Sequence, residues 1–314
     1  MDIFIQAADI VAPVFIIVFI GLALRRAGMI DAHFNALSSR LVFMVTLPAL
    51  LFAKISSTRI QELIDGRQIL FAYLFIFISF AIAWLAGLRL AKSGRDRGAF
   101  IQGAFRGNFA ILGFAMLNNA YGPGVLAPAA VVLAAIMPPY NILAVLALSL
   151  TQKRERDISG RAILKQILTN PLILAAAGAV PFSLFQLRLP QMLLTSIDHL
   201  SSLTLPLALI GIGGSLSFKG VREDFRLAFH ATLLKIVLLP ILVIAAAVHA
   251  GFHGPELGVL FFFFASPTAI ASYAMAEAMG SNSRLAGHII LLTTMGSIIT
   301  ISTGIIILKS MGVF

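Results

Sequence analysis

The sequence predicts an all-α membrane protein of ten transmembrane helices in two inverted five-helix repeats, with a crossover where helices 4 and 9 are broken. Three observations carry this expectation. The 314 residues are 59% hydrophobic and only 11% charged, with a mean hydropathy of +0.98, a composition foreign to soluble domains. Apolar runs long enough to cross a hydrocarbon core of about 30 Å recur along the whole chain. Two short motifs also recur at an offset close to half the length.

Hydropathy and Gly/Pro punctuation place spans at 7–24, 37–54, 68–91, 99–119, 124–150, 163–185, 192–216, 227–250, 257–279 and 285–309. The in-and-out alternation of a membrane barrel is absent, so the spans read as helices that satisfy their own backbone. No Lys or Arg precedes the first run, and Arg25 and Arg26 follow it, the reverse of a cleavable signal peptide. Odd-numbered connections collect 17 Lys and Arg, with Arg106 counted in the third, against 5 on the opposite side. The positive-inside rule makes the richer side cytoplasmic, with both termini outside, on the periplasmic face of a bacterial inner membrane. The net charge of +10 is thus a topology signal, and no nucleic-acid partner is expected. Cysteine is absent, which excludes disulfides, thiolate catalysis and thiolate metal sites.

The stretch TLPALLF at 46–52 returns as TLPLALI at 204–210, 158 residues later. NFAILGFAM at 108–116 precedes PTAIASYAM at 267–275 by 159, matching at Ala110/Ala269, Ile111/Ile270, Ala115/Ala274 and Met116/Met275. A repeat of five spans is odd, so the second copy must enter the membrane from the other side. The expected division is 1–150 for the first repeat, 151–162 for a cytoplasmic linker (the polar run TQKRERDISGR begins it) and 163–314 for the second. Inverted repeats characterise secondary transporters, which hold substrate where discontinuous helices of the two halves meet.

Segment 9 carries such a discontinuity. Pro267 removes an amide donor and orphans the carbonyl of Phe263, which in a membrane must find protein or a wet cavity. Ser266, Thr268 and Ser272 supply hydroxyls there, with Tyr273 alongside. Read alone, they repair a kink. Segment 4 is interrupted at the equivalent place by Gly103, Gly107, Asn108 and Gly113, and paired breaks in inverted halves point to a site. Crossed half-helix N-termini favour an anion, with Asn108 and Asn141 as polar ligands. Lys235, about eight residues into segment 8, either serves transport or reaches toward the interface. Asp9 and Glu277 are the other ionisable candidates for coupling.

Taken together, these residues identify a likeness. Asn108 with Gly113, ASPTAIASYAMA at 265–276, Leu234-Lys235 with Leu239-Pro240, and LLTTMGSIITI at 291–301 resemble the auxin efflux carrier family over essentially the whole chain. Its bacterial members include proteins named as malonate and malate permeases. The resemblance implies a scaffold of helices 1, 2, 6 and 7, a moving part of helices 3–5 and 8–10, contact of the unwound helices 4 and 9 with a substrate carboxylate, and a homodimer formed through the scaffold. One departure stands out: the family's proline two residues after the segment 4 glycine is Ala115 here, which predicts a gentler break resting on Gly113 and Asn108.

The expected function is secondary transport of a small organic anion, malonate- or auxin-like, by alternating access, with protons as the possible coupling ion. Its site draws on Asn108, Gly113, Ala115, Asn141, Ser266, Pro267, Thr268, Ser272, Tyr273 and Thr46. A sodium-coupled carrier like the bile-acid symporters, or an organic-anion channel or sensor, stays open beside it. No cofactor, metal or enzymatic activity is expected, since no HExxH, P-loop, GxSxG or paired catalytic carboxylates occur. His249 and His253 read as a surface pair, GIGGSLS at 211–217 as close helix packing, and Phe261 to Phe264 as lipid-facing or packing surface.

Overall fold

The computed structural model describes residues 2–57, 65–151, 168–169, 171–216 and 221–314. Residues 152–162 of the expected linker lie outside them, as do Arg59 and Lys219. Helices make up almost all of the described chain, and its one β-type pairing is an isolated bridge.

In chain order the helices are α1 (Asp2–Arg26), α2 (Ala32–Leu41), α3 (Leu47–Ser56), α4 (Gly66–Leu90), α5 (Gly94–Phe105), α6 (Phe114–Tyr121), α7 (Leu126–Leu150), α8 (Pro171–Phe185), α9 (Gln191–Ser202), α10 (Thr204–Ser215), α11 (Val221–Leu233), α12 (Leu239–His249), α13 (Gly254–Ala265), α14 (Ala271–Ala278) and α15 (Ser283–Ser310). Several join end to end. Among the described residues seven helical stretches are long and apolar enough to cross a membrane, and three shorter apolar ones add to them: Phe109–Tyr121, Pro171–Phe185 and Gly254–Ala265. The protein is multi-pass.

Local sequence explains the starts and interruptions. Asp31, Asp65, Ser93 and Asn282 each accept a first-turn amide, capping α2, α4, α5 and α15. Prolines explain the joints. Pro48 and Pro240 each follow a π-helical turn, Val42–Thr46 and Leu234–Leu238, which absorbs the amide that proline lacks. Pro206 lies just past the joint at Leu203 between α9 and α10. Both TLP copies therefore mark an interrupted span. Their threonines behave alike: Thr46 and Thr204 are buried, and neither hydroxyl has a hydrogen-bond partner among the described residues.

Two sets of helix pairs stand out, joined to each other where α1 packs on α15 and α6 and where α3 packs on α7. The helix α1 lies along α10, and α3 lies along α8 and α9. Glycines permit the closest approach, because a methyl group on Gly213 would overlap the Val18 carbonyl and one on Gly21 would overlap the Ile210 backbone. GIGGSLS is thus a packing surface as far as it is described. In the second group α4 packs on α5 and α7, α11 on α15, α12 on α13, and α14 on α15. Phe261 to Phe264 are all buried, with Phe263 against Phe109 and Phe262 against Phe314, so the run packs inside the chain and does not face lipid.

Candidate functional site

The two interrupted spans meet at their breaks. The helix α5 stops at Phe105, and Arg106 turns extended, with φ −80° and ψ 108°. The chain resumes as a π-helical turn, Phe109–Gly113, that runs into α6. Opposite it, α13 stops at Ala265, Ser266 is extended with φ −54° and ψ 140°, and α14 starts at Ala271. Gly107 and Thr268 then form an antiparallel bridge. The Asn108 amide donates to the Pro267 carbonyl at 2.7 Å, and the Ala269 amide donates to the Arg106 carbonyl at 3.1 Å. The break in segment 4 is therefore complete. It opens at Arg106, ahead of Gly113, and Ala115 sits buried within regular helix beyond it, so the absent proline does not soften it. Gly113 serves proximity instead, since a Cβ there would lie 3.0 Å from the Phe263 ring and 3.4 Å from Ser266 Oγ.

A helix broken inside a membrane must dispose of its last carbonyls. At the end of α5, Gly103 O accepts from Thr268 Oγ1 at 2.7 Å, and Phe105 O accepts from the Tyr140 hydroxyl at 2.7 Å. At the end of α13, Phe262 O accepts from the Ser266 amide at 3.1 Å and from its hydroxyl. Phe264 O accepts from Lys235 Nζ at 2.7 Å. The bridge residues' own amides turn outward to hydroxyls. Gly107 N donates to Tyr140 at 3.1 Å, and Thr268 N donates to Thr293 Oγ1 at 3.1 Å. Each arm thus leans on a hydroxyl from the helix that follows it, Tyr140 on α7 and Thr293 on α15.

One polar side chain at the crossover is left without a protein partner among the described residues. Asn108 is 7% exposed as a residue, and its carboxamide has no hydrogen-bond partner among the described residues and keeps some accessible surface. It immediately precedes the turn Phe109–Gly113, whose first amides form a helix N-terminus. Ile270 precedes α14 in the same way. Two helix N-termini therefore lie close to one unpartnered carboxamide, although the Ser272 and Tyr273 amides of α14 already donate to Ala269 and Ile270.

Two cations lie at the crossover. Lys235 is 2% exposed and does not reach an interface: its Nζ caps α13 and would lie 3.1 Å from a Cβ on Gly107. Arg106, counted in the sequence among loop charges, is buried in the break, where it donates to Asn141 Oδ1 at 2.9 Å and to the Met275 sulfur. Removing it from the tally leaves 16 against 5, the same sign. Sequence reasoning missed Arg106 as a site residue. The signal was present, because an arginine seven residues inside an assigned span, directly before Gly-Asn, is an intramembrane charge.

Of the other expected residues, Ser266 and Thr268 spend their donors on the crossover backbone. Ser272 is buried with its hydroxyl unpartnered, and Asn141 reaches the crossover through Arg106. Tyr273 is 43% exposed, and Glu277 and Asp9 are exposed, so the structure does not bring these three to the bridge. Thr46 sits on the α2–α3 joint, in the other packing group. His249 and His253 are exposed at the end of α12 and the turn after it.

A family model described as "Membrane transport protein" matches residues 7–305 of the chain. A Rhizobium meliloti protein described as "Putative malonate transporter" is 26% identical over 312 residues, 97% of each chain. A protein of Methanocaldococcus jannaschii described as an "Uncharacterized transporter" is 23% identical, over 94% of this chain and 96% of its own. Another of the same description from Methanothermobacter thermautotrophicus is 23% identical, over 95% of this chain and 97% of its own.

Proposed function

The chain belongs to the membrane transport protein family, and on that premise we propose that it is a secondary carrier of a small organic anion, a carboxylate, working by alternating access. The observation that carries this is the bonded pair of breaks. Two half-helix N-termini and the unpartnered carboxamide of Asn108 adjoin one bridge, an arrangement suited to an anion such as a carboxylate. The name of the Rhizobium relative agrees with that chemistry.

Around the site we assign ten spans in two inverted five-span repeats. The local two-fold pattern of the bridge supports this, since each arm gives one amide to the other and one to a hydroxyl of the following helix. The packing supports it as well. A shift of five spans converts the pair α1 with α10 into the pair α8 with α3, and both pairs are close. Spans 1, 2, 6 and 7 form the scaffold in this reading, and spans 3–5 and 8–10 rock against it, as the two packing groups suggest. The richer basic side is cytoplasmic, the membrane is the inner one, and two copies associate through the scaffold. Protons are the proposed coupling ion, with Lys235 as the buried candidate.

Counterflow in proteoliposomes tests the mechanism. Vesicles preloaded with unlabelled malonate should accumulate labelled malonate transiently above its external concentration, because a carrier exchanges. Equilibration without overshoot would mark a channel and sink the carrier reading. Acceleration by a sodium gradient, with indifference to a pH gradient, would remove protons from it.

A further inference from the structure

Arg106 carries a charge that nothing in the described protein balances. The residue is 7% exposed. A guanidinium offers five N–H donors and cannot shed its proton. Here one nitrogen meets the neutral oxygen of Asn141 at 2.9 Å and another meets the thioether of Met275, a weak acceptor. Among the described residues whose burial is defined no Asp or Glu is buried, and none of the described acids pairs with Arg106, Asp224 being held by Arg284 and His288. Isolating such a charge from water is unfavourable by several kcal/mol unless a counter-ion is supplied.

Position says what would supply it. Arg106 and Asn108 flank Gly107 where the chain leaves helical form to pair with Thr268, so both belong to one short break. The fork of Arg106 and the unpartnered carboxamide of Asn108 thus lie two residues apart in the break, directly before the turn Phe109–Gly113. Lys235 sits by the Cβ direction of Gly107, the residue between them in the chain.

We propose that Arg106 is the fixed charge that receives the carboxylate of the transported anion, in a two-bond fork. Asn141 and Met275 hold the guanidinium in place until the carboxylate replaces the sulfur. The bond to Asn141 ties the site to α7, and the contact with Met275 ties it to α14, so loading exchanges a weak link between the two arms for a ligand held by one of them. This assignment rests on the organic-anion reading above and adds the residue that reads the charge.

The test uses the full chain purified in detergent and its thermal unfolding. Acetate, malonate and indole-3-acetate are titrated against wild type, each beside its uncharged amide, with chloride and phosphate as further arms. At least one carboxylate should raise the unfolding temperature saturably and its amide should not. Arg106→Gln should weaken that carboxylate on the order of tenfold to a hundredfold, the worth of a charged hydrogen bond. Arg106→Lys, which keeps the charge but loses the fork, should weaken it less. Equal stabilisation by acid and amide, or by phosphate and chloride without any carboxylate, overturns the proposal, and so does undiminished binding by Arg106→Gln. Should Arg106→Gln not fold, the acid–amide comparison on wild type and the Arg106→Lys titration decide it. Carboxylate binding that ignores Arg106 overturns this assignment alone, whereas no binding of any carboxylate takes the organic-anion reading with it.

Discussion

The amide of Asn108 donates to the carbonyl of Pro267 at 2.7 Å, so the residue that breaks one arm is the backbone partner of the residue that opens the other. A proline is useful there for two reasons. It ends α13 because it has no amide to give, and its carbonyl is left free to accept from across the crossover. The bridge needs the backbone of both residues and the side chain of neither.

That division predicts how Asn108→Ala behaves. Its main-chain bond survives, and the lost carboxamide has no described protein partner, so the unfolding temperature should stay close to wild type, within the scatter of surface substitutions at about 0.5 kcal/mol. Binding and counterflow should fall by tenfold or more. Full-strength binding by the variant would remove Asn108 from the site.

The two outward amides of the bridge make a paired prediction. Tyr140→Phe takes the acceptor from Gly107 N and the donor from Phe105 O, while Thr293→Val takes the acceptor from Thr268 N. Each strands at least one buried backbone group, at about 1–3 kcal/mol. Both variants should therefore unfold earlier than wild type, and the double variant should depart from additivity, because both hydroxyls hold one bridge. Wild-type stability in either single variant would show that the crossover does not depend on these bonds.

Glycine spacing gives a prediction in the other packing group. A Cβ on Gly213 would overlap the Val18 carbonyl, which belongs to rigid helix, whereas a Cβ on Gly211 would meet Ser38 Oγ at an ordinary 3.5 Å. Gly213→Ala should force α1 and α10 apart and lower stability by about 1–3 kcal/mol or more, while Gly211→Ala should be nearly neutral. Fluorescence-detected size exclusion after a heating series separates the two. Equal thermal tolerance would mean that the contact of α1 with α10 is looser than described.

Much of this was legible in the chain. Pro267 marks a candidate break because it has no amide, and the offset of 159 to Asn108 sets it apart from Pro13, Pro138, Pro139 and Pro181, which lie within continuous helices. The location and depth of that second break were not legible. Glycine and asparagine lower helix propensity by at most about 1 kcal/mol, too little to fix where a helix ends, and the decisive force is tertiary: Pro267 and Thr268 hold the chain from Arg106 to Asn108 out of helical form. The same dependence hid Arg106, since a charge near basic loop residues reads as one of them until the chain is seen to turn inward. Ser266 and Thr268 were expected as ligands on residue type alone, and only the backbone accounting reveals that their hydroxyl hydrogens go to Phe262 and Gly103.

Lys235 allows structural need to be weighed against functional use. Its ammonium gives Phe264 O a donor, because the amide that would normally reach that carbonyl, on Thr268, goes to Thr293 instead. Lys235→Met would orphan that carbonyl, at about 1–3 kcal/mol. It would also remove an ion that is 2% exposed and has no acidic partner among the described residues, relieving a desolvation penalty of several kcal/mol. The second term is larger, so the variant should unfold no earlier than wild type. A chain that keeps a buried lysine against its own stability keeps it for a task. Counterflow by Lys235→Met should then fall at least tenfold while its unfolding temperature holds. A variant that unfolds well below wild type, yet transports normally per folded molecule, would make Lys235 a helix cap and nothing more.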